Sequence, residues 1–231
     1  MHSILGEVWF GLLATLVAWW IANRIRVRWP HPVLNAVLLS VAMLVVFLKL
    51  TDIPFAAYAH GGRVLQFMLG PAVVAMAVPV YQYRDLLRKA WRPMAASIVV
   101  GCLVSIMSAT GLMLLLEGEG ILARSIAAKS VTAPIAIELS RSVNGEPSLT
   151  VAIVIITGIL GAVIGVSVLR WCRITDSLSV GVSMGVAGHG IATASLTSDP
   201  VARMAASLGM ILNGVVTSMV LPFIVQWMVG E

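Results

Sequence analysis

The sequence predicts an all-α, polytopic membrane protein with about six to eight transmembrane helices, built as one integral membrane domain over residues 1–231. Of these residues, 59% are hydrophobic and only 11% are charged, whereas soluble domains carry about 25% charged residues. The charges leave uncharged intervals of 16 to 27 residues, and a helix needs about 20 apolar residues to cross a membrane. The intervals are continuously apolar, without the alternation over about ten residues that typifies barrel strands.

The first interval predicts a retained transmembrane helix over residues 8–25. Its basic residues, Arg24, Arg26 and Arg28, follow the apolar run, which is the reverse of the order in a cleavable signal peptide. The positive-inside rule places the C-terminal end of this helix in the cytoplasm. The next spans are expected over 33–50, 64–83 and 93–116, with the basic cluster 84–92 inside and the acidic loop 117–119 outside.

Residues 121–140 predict a re-entrant hairpin rather than a span. Further spans are expected over 149–169 and after Arg203, and the positive-inside rule places the loop 170–173 in the cytoplasm. The segment 121–140 must then begin and end on the outer side. Its polar sequence, with Lys129 near the middle, agrees with this, because irregular backbone at membrane depth is tolerated only where protein or a water-filled cavity covers it.

Residues 177–198 form an uncharged segment that is interrupted by Gly188-His189-Gly190. Two structures fit this segment, a kinked span and a hairpin that enters from the inside, and we favour the hairpin. The interruption lies 59 residues after Lys129-Ser130, and a third, weaker interruption of the same kind lies 59 residues before Lys129-Ser130, at Gly70-Pro71. The segments 93–140 and 149–198 are therefore expected to be inverted repeat units, and broken helices at matching positions in such repeats indicate a transporter substrate site.

Several stretches resemble the LrgB/CidB family. The segment KSVTAPIAIEL (129–139) is similar to the family signature, and the likeness extends in order over nearly the whole chain, through HPVLNAVLL (31–39), GPAVVAMAVPVY (70–81), TGILGAVIG (157–165) and MGVAGHGIATAS (184–195). The sequence departs from the family pattern in three places, with Ala128 for proline, Gly188 for serine and Ser195 for arginine.

The resemblance implies a multi-pass protein of the bacterial inner (cytoplasmic) membrane that forms an oligomer and pairs with a small LrgA/CidA-like membrane protein. Similar proteins include bacterial pyruvate transporters and the C-terminal half of the plastid glycolate/glycerate translocator. The resemblance thus implies a carrier of small monocarboxylates, driven by a proton or ion gradient. The alternative is a holin- or antiholin-like component that modulates murein hydrolase activity and autolysis.

Broken helices offer an anion their free backbone N–H groups and the positive ends of their dipoles. Lys129 is expected either to meet an anionic substrate or to pair with Glu138, because an unpaired cation at this depth is costly. His189 is expected to bond the substrate, to carry a proton, or to cap a kink through a carbonyl of a neighbouring helix. The predicted substrate-binding residues are Lys129, Ser130, Thr132, His189, Gly190 and Thr193, with Asn35, Pro71, Ser195 and Asn213 as accessory residues.

Other classes of function find little support in the sequence. The net charge of +5 comes from basic residues spread over short loops, where they act as orientation signals rather than as a nucleic-acid surface. Cys102 and Cys172 show no metal-binding spacing. No nucleotide-binding or catalytic motif is present, so we expect neither an enzyme nor a cofactor.

Overall fold

The computed structural model describes residues 2–29, 34–75 and 77–230, and over these residues the chain is helical. This confirms the predicted all-α class. The helices are α1 (His2–Arg28), α2 (Ala36–Leu50), α3 (Phe55–Ala75), α4 (Ala77–Gln82), α5 (Arg84–Leu115), α6 (Gly120–Ile126), α7 (Ala133–Ser142), α8 (Pro147–Trp171), α9 (Ser177–Ser195) and α10 (Pro200–Val229).

The chain divides into an N-terminal unit, residues 1–78, and a C-terminal unit, residues 79–231. In the N-terminal unit α1 packs against α2 and α3. Glycines allow the closest contact, because a Cβ on Gly11 would lie 2.3 Å from the carbonyl oxygen of Tyr58. The hydroxyl groups of Thr15 and Tyr58 lie 2.9 Å apart in the same interface.

In the C-terminal unit, α5 and α10 run in the same direction. Met94 and Ala205, each in the first half of its helix, belong to one buried cluster, and near the ends of the two helices a Cβ on Gly111 would lie 3.5 Å from the Met228 side chain. Their first turns lie at an end of the unit that we call the basic end. The order of the helices places seven basic residues at this end: Arg84, Arg88, Lys89, Arg92, Arg170, Arg173 and Arg203. The opposite end holds the acidic loop 117–119 together with Arg124 and Arg141, and we call it the acidic end.

Helices α6 and α7 form the first hairpin, whose base lies at the acidic end. The hydroxyl of Thr150, in the first turn of α8, donates to the Ser125 carbonyl on α6 and contacts the Ser140 hydroxyl on α7. The guanidinium of Arg124 donates to the carbonyl of Gly230, just beyond α10. Both limbs therefore have their outer ends at the same end of the C-terminal unit, as the sequence predicts for residues 121–140.

Helix α9 and the residues after it form the second hairpin, whose base lies at the basic end. The Ser177 hydroxyl, at the start of α9, donates to the Asp199 carboxylate at 2.7 Å. The first limb of α9 runs parallel to α10, since Gly181 faces Ala202 and Gly185 faces Ala206. The path breaks at His189, whose backbone has φ 43° and ψ −140°. Of the two structures left open for residues 177–198, the hairpin is the one observed.

Four of the described helices are long and apolar enough to cross a membrane, namely Val8–Arg28, Leu87–Leu115, Pro147–Trp171 and Pro200–Val229. Two predicted boundaries are wrong. The helix expected over 64–83 begins at Phe55, and the helix expected over 93–116 begins at Arg84. The predicted helices begin too late because the prediction counts only uncharged residues. The real helices continue through Arg63 and through the cluster 84–92, which extend them beyond the hydrocarbon region.

Asp199 caps α10, and this cap predicts a pH-dependent stability. Its carboxylate accepts a hydrogen bond from the Ala202 N–H and another from Ser177, and these bonds hold the pKa of Asp199 below its ordinary value. A lowered pKa means that the stabilisation is present above the unfolded-state pKa of about 3.9 and is lost as the pH falls through the folded-state value.

We expect Asp199→Ala to lower the stability by about 1 kcal/mol at neutral pH, because the cap is lost. Asp199→Asn retains a capping oxygen but does not titrate. In thermal unfolding followed from pH 7 to pH 3, the difference between wild type and Asp199→Asn should shrink as the pH falls. A difference that stays constant with pH would contradict the role of the carboxylate.

Candidate functional site

Lys129 lies in the turn that joins α6 to α7, at the tip of the first hairpin. Its Nζ donates to the hydroxyls of Ser105 on α5 and of Ser130, both at 3.1 Å, and these two hydroxyls lie 2.7 Å apart. The ammonium group is thus held by neutral oxygens. Among the residues that the structure describes, no carboxylate lies within ion-pair distance of it.

The predicted alternative partner of Lys129, Glu138, is paired elsewhere. Its Oε1 lies 2.8 Å from Nη1 of Arg141, one turn along α7, and both side chains are well exposed. The prediction that Lys129 pairs with Glu138 is therefore wrong. The first hairpin places Glu138 towards its base and Lys129 at its tip.

A cleft of about 380 Å³ adjoins the Lys129 side chain, and we call it the inner cleft. It lies between α5, the tip of the first hairpin and the first limb of α9. Its polar lining consists of Lys129 and the hydroxyls of Ser97, Ser105, Ser108, Ser130 and Ser183. A lysine among hydroxyls in a cleft of this size offers a small anion one charge and several hydrogen-bonding groups.

Asn213 joins the two hairpins at the middle of α10. Its side-chain amide donates to the carbonyl of Ser130, in the first hairpin, at 2.8 Å, and to the carbonyl of Val186, in the second, at 3.3 Å. The side chain is 1% exposed, and its Oδ1 has no hydrogen-bond partner among the described residues. Asn213 is therefore placed to hold the hairpin tips together.

His189 is buried, with 3% of its surface exposed, and its imidazole faces α8. Its Nε2 lies 2.9 Å from the Val154 carbonyl, and since a carbonyl only accepts, Nε2 carries the proton. A Cβ on Gly158 would lie 2.6 Å from the ring, so this glycine makes room for the imidazole. The geometry matches the expectation that His189 caps the kink through a neighbouring carbonyl, and the residues lining the inner cleft do not include it.

The other predicted residues of the second hairpin, Gly190, Thr193 and Ser195, make contacts away from the inner cleft. The Thr193 hydroxyl donates to the His189 carbonyl, and the Ser195 hydroxyl donates to the Ala192 carbonyl. Gly190 faces Met210, with the sulfur 3.7 Å from an added Cβ. None of these three residues is among those that line the inner cleft.

The remaining predicted residues have local structural positions. Thr132 occupies the N-cap position of α7, where its hydroxyl makes no capping bond. Asn35 caps α2, since its Oδ1 accepts from the Val37 N–H at 2.8 Å. Pro71 lies within α3, where it is exposed. Asn35 and Pro71 belong to the N-terminal unit, whereas Lys129 and Ser130 belong to the C-terminal unit.

Sequence reasoning missed four serines of the inner cleft, Ser97, Ser105, Ser108 and Ser183. The spacing of the first three could have indicated a shared face, because offsets of 8 and 11 residues from Ser97 place Ser105 and Ser108 on the same side of α5. Only the fold shows that this face and Ser183 on α9 turn towards Lys129.

The contact between His189 and Gly158 predicts a compensating pair of substitutions. Gly158→Ala should destabilise the protein by about 2 kcal/mol, because the new methyl group overlaps the imidazole. His189→Ala should cost about 3 kcal/mol through the cavity and the lost hydrogen bond. Since removal of the ring also removes the overlap, the double variant should be more stable than the sum of the two by about 1 kcal/mol or more. Additive effects in thermal unfolding would contradict this packing.

Comparison with known proteins gives one consistent family. The LrgB-like family matches residues 15–227. The antiholin-like protein LrgB of Bacillus subtilis (strain 168) is 30% identical over 231 residues, 96% of this chain and 97% of the relative. The holin-like protein CidB of Staphylococcus aureus (strain Mu50 / ATCC 700699) is 29% identical over 218 residues, 93% of this chain and 94% of the relative. No solved structure matches the chain significantly.

Proposed function

The chain belongs to the LrgB-like family of membrane proteins, and we propose that it carries small monocarboxylates, such as pyruvate, glycolate or glycerate, across the bacterial inner (cytoplasmic) membrane. The observation that supports this most directly is the environment of Lys129. Its ammonium lies at a hairpin tip, beside a cleft lined by both hydroxyls and apolar side chains, and only hydroxyls bond to it within the described part of the chain. An unpaired cation at membrane depth is costly, and a bound carboxylate compensates it.

The two hairpins enter the C-terminal unit from opposite ends, as expected for a carrier built from inverted repeats. The first hairpin follows α5 and enters from the acidic end, and the second follows α8 and enters from the basic end. We propose that residues 93–140 and 149–198 are inverted repeat units with the substrate between their tips, as in carriers that expose one site alternately to the two sides. Lys129 binds the carboxylate, Ser105 and Ser130 turn their hydroxyls towards it, and a proton or ion gradient supplies the driving force.

A second function is favoured by the printed names of the relatives, holin-like protein CidB and antiholin-like protein LrgB. In this proposal the chain is an oligomeric membrane component that works with a small LrgA/CidA-like protein and modulates murein hydrolase activity and autolysis. The names support this function more directly than they support transport, whereas the environment of Lys129 supports transport. In both proposals the protein is a membrane component rather than an enzyme.

Uptake by reconstituted vesicles separates the two functions. The protein is incorporated into vesicles, with and without the small partner, and labelled pyruvate, glycolate and glycerate are added under an imposed pH gradient. A carrier gives saturable uptake and retains a trapped dye. Release of the dye that increases with the amount of protein, without saturable uptake, would refute the carrier and support a holin-like pore.

A further inference from the structure

A second cavity, lined by both polar and apolar side chains, continues the inner cleft towards the basic end. This outer chamber, also about 380 Å³, lies between the start of α5, the start of α9 and the loop before α9. It shares Ser97, Val182 and Ser183 with the inner cleft, so the two cavities are contiguous. Together they form a passage, which we call the serine track, from Asp176 at the basic end to Lys129.

The walls of the serine track come from two helix faces. On α5, Ser97 and Ser108 are separated by 11 residues, about 16 Å along a helix. On α9, Ser179 and Ser183 are one turn apart and lie on the same face. A lysine that faced lipid would carry a large desolvation cost, and water in the track would lower that cost.

Beyond Lys129, towards the acidic end, the interior is closed. Ile106 on α5, Val131 in the first hairpin and Leu221 on α10 belong to one packed apolar cluster and are each at most 1% exposed. A cavity near this end, lined by Arg124, Asn144 and Gln226, shares none of its lining residues with the inner cleft. The cluster therefore closes the interior between α5, the first hairpin and α10.

We infer that the serine track is a water-filled access path that leads small hydrated anions from the cytoplasm to Lys129, and that the structure has this path open and the opposite path closed by the first hairpin. The basic end is the cytoplasmic one, because seven of the nine lysines and arginines at the membrane surfaces described for the C-terminal unit lie there. Lys129 at the bottom of the path attracts an anion. What passes through the path rests on the proposed function, but the existence of the path does not.

Thiol accessibility tests the path. In a background with Cys102→Ser and Cys172→Ser, single cysteines are introduced as Ser97→Cys and Ser183→Cys. Val99→Cys is the matched control, since Val99 is 43% exposed on a different face of α5, two residues from Ser97. Ser142→Cys reports the acidic end. Each variant is treated with a charged, membrane-impermeant thiol reagent, in inverted vesicles and in right-side-out vesicles, without substrate.

We expect Ser97→Cys and Ser183→Cys to react in inverted vesicles at least about tenfold faster than Val99→Cys, because only a hydrated thiol ionises readily. In right-side-out vesicles they should react no faster than Val99→Cys, whereas Ser142→Cys should react. Equal rates for Ser183→Cys and Val99→Cys in both preparations, or reaction of Ser183→Cys from the side that labels Ser142→Cys, would overturn the inference. If the track is accessible but the reconstituted protein shows no saturable uptake, the proposed function is refuted and the inferred access path is retained.

Discussion

Lys129→Met should lower monocarboxylate uptake by about 10- to 100-fold, because a charged hydrogen-bonding group contributes roughly 1.5–3 kcal/mol. The same substitution should leave the protein equally or more stable in thermal unfolding. The reason is that the ammonium is bonded only to hydroxyls in the described structure, so that its removal also removes an uncompensated charge from the membrane interior.

Arg141→Gln is the matched control for Lys129→Met. It removes one positive charge from the same hairpin, but from a side chain that is 62% exposed and paired with Glu138. We expect uptake by this variant to stay close to that of the wild type. Equal loss of uptake in both variants would show an effect of net charge, and loss of folding in Lys129→Met would show that the lysine is structural.

Gly185→Ala should destabilise the protein by about 3 kcal/mol, the largest effect that we expect from a single methyl group. A Cβ at Gly185 would lie 2.1 Å from the carbonyl oxygen of Ala206, and one at Gly181 would lie 2.2 Å from that of Ala202. Both contacts are with the backbone of α10, so no side-chain rotation relieves them. The first limb of the second hairpin would have to move away from α10.

Gly190→Ala provides the control within the same segment. The nearest atom to its added Cβ is the sulfur of Met210, at 3.7 Å, an ordinary contact with a flexible side chain. We expect its unfolding midpoint to stay close to that of the wild type. Equal midpoints for Gly185→Ala and Gly190→Ala would contradict the close packing of α9 on α10.

The hairpins could be predicted from the sequence because their causes are local. A polar segment with Lys129 in its middle cannot face lipid, and the side on which it starts and ends follows from neighbouring basic loops. The helix lengths at the basic end could not be predicted in the same way. Arg84–Arg92 continues α5 as a helix, and a count of uncharged residues cannot distinguish such an extension from a loop.

The candidate site could be predicted only in part, because its composition depends on contacts between distant helices. Lys129 and Ser130 were identified from the interruption that they form. Ser105 and Ser183 lie on helices that are apolar overall, and only packing brings them to the inner cleft. A histidine at position 189 is compatible with binding either a substrate or a backbone carbonyl, so the residue type alone does not reveal its partner. Its position against Gly158 follows from the packing of α9 on α8, which the interruption alone does not determine.

The central claim is that the two hairpins enter the membrane from opposite sides, and sided labelling of their bases tests it most directly. Cys172 is free and exposed at the end of α8. In a background with Cys102→Ser, Cys172 reports its own base, and single cysteines introduced as Glu119→Cys, Ser142→Cys and Ser198→Cys, each also with Cys172→Ser, report the other bases. We predict that Glu119→Cys and Ser142→Cys label from one side, and that Cys172 and Ser198→Cys label from the opposite side. Labelling of Ser198→Cys from the side of Ser142→Cys would make residues 177–198 a span and would contradict the account.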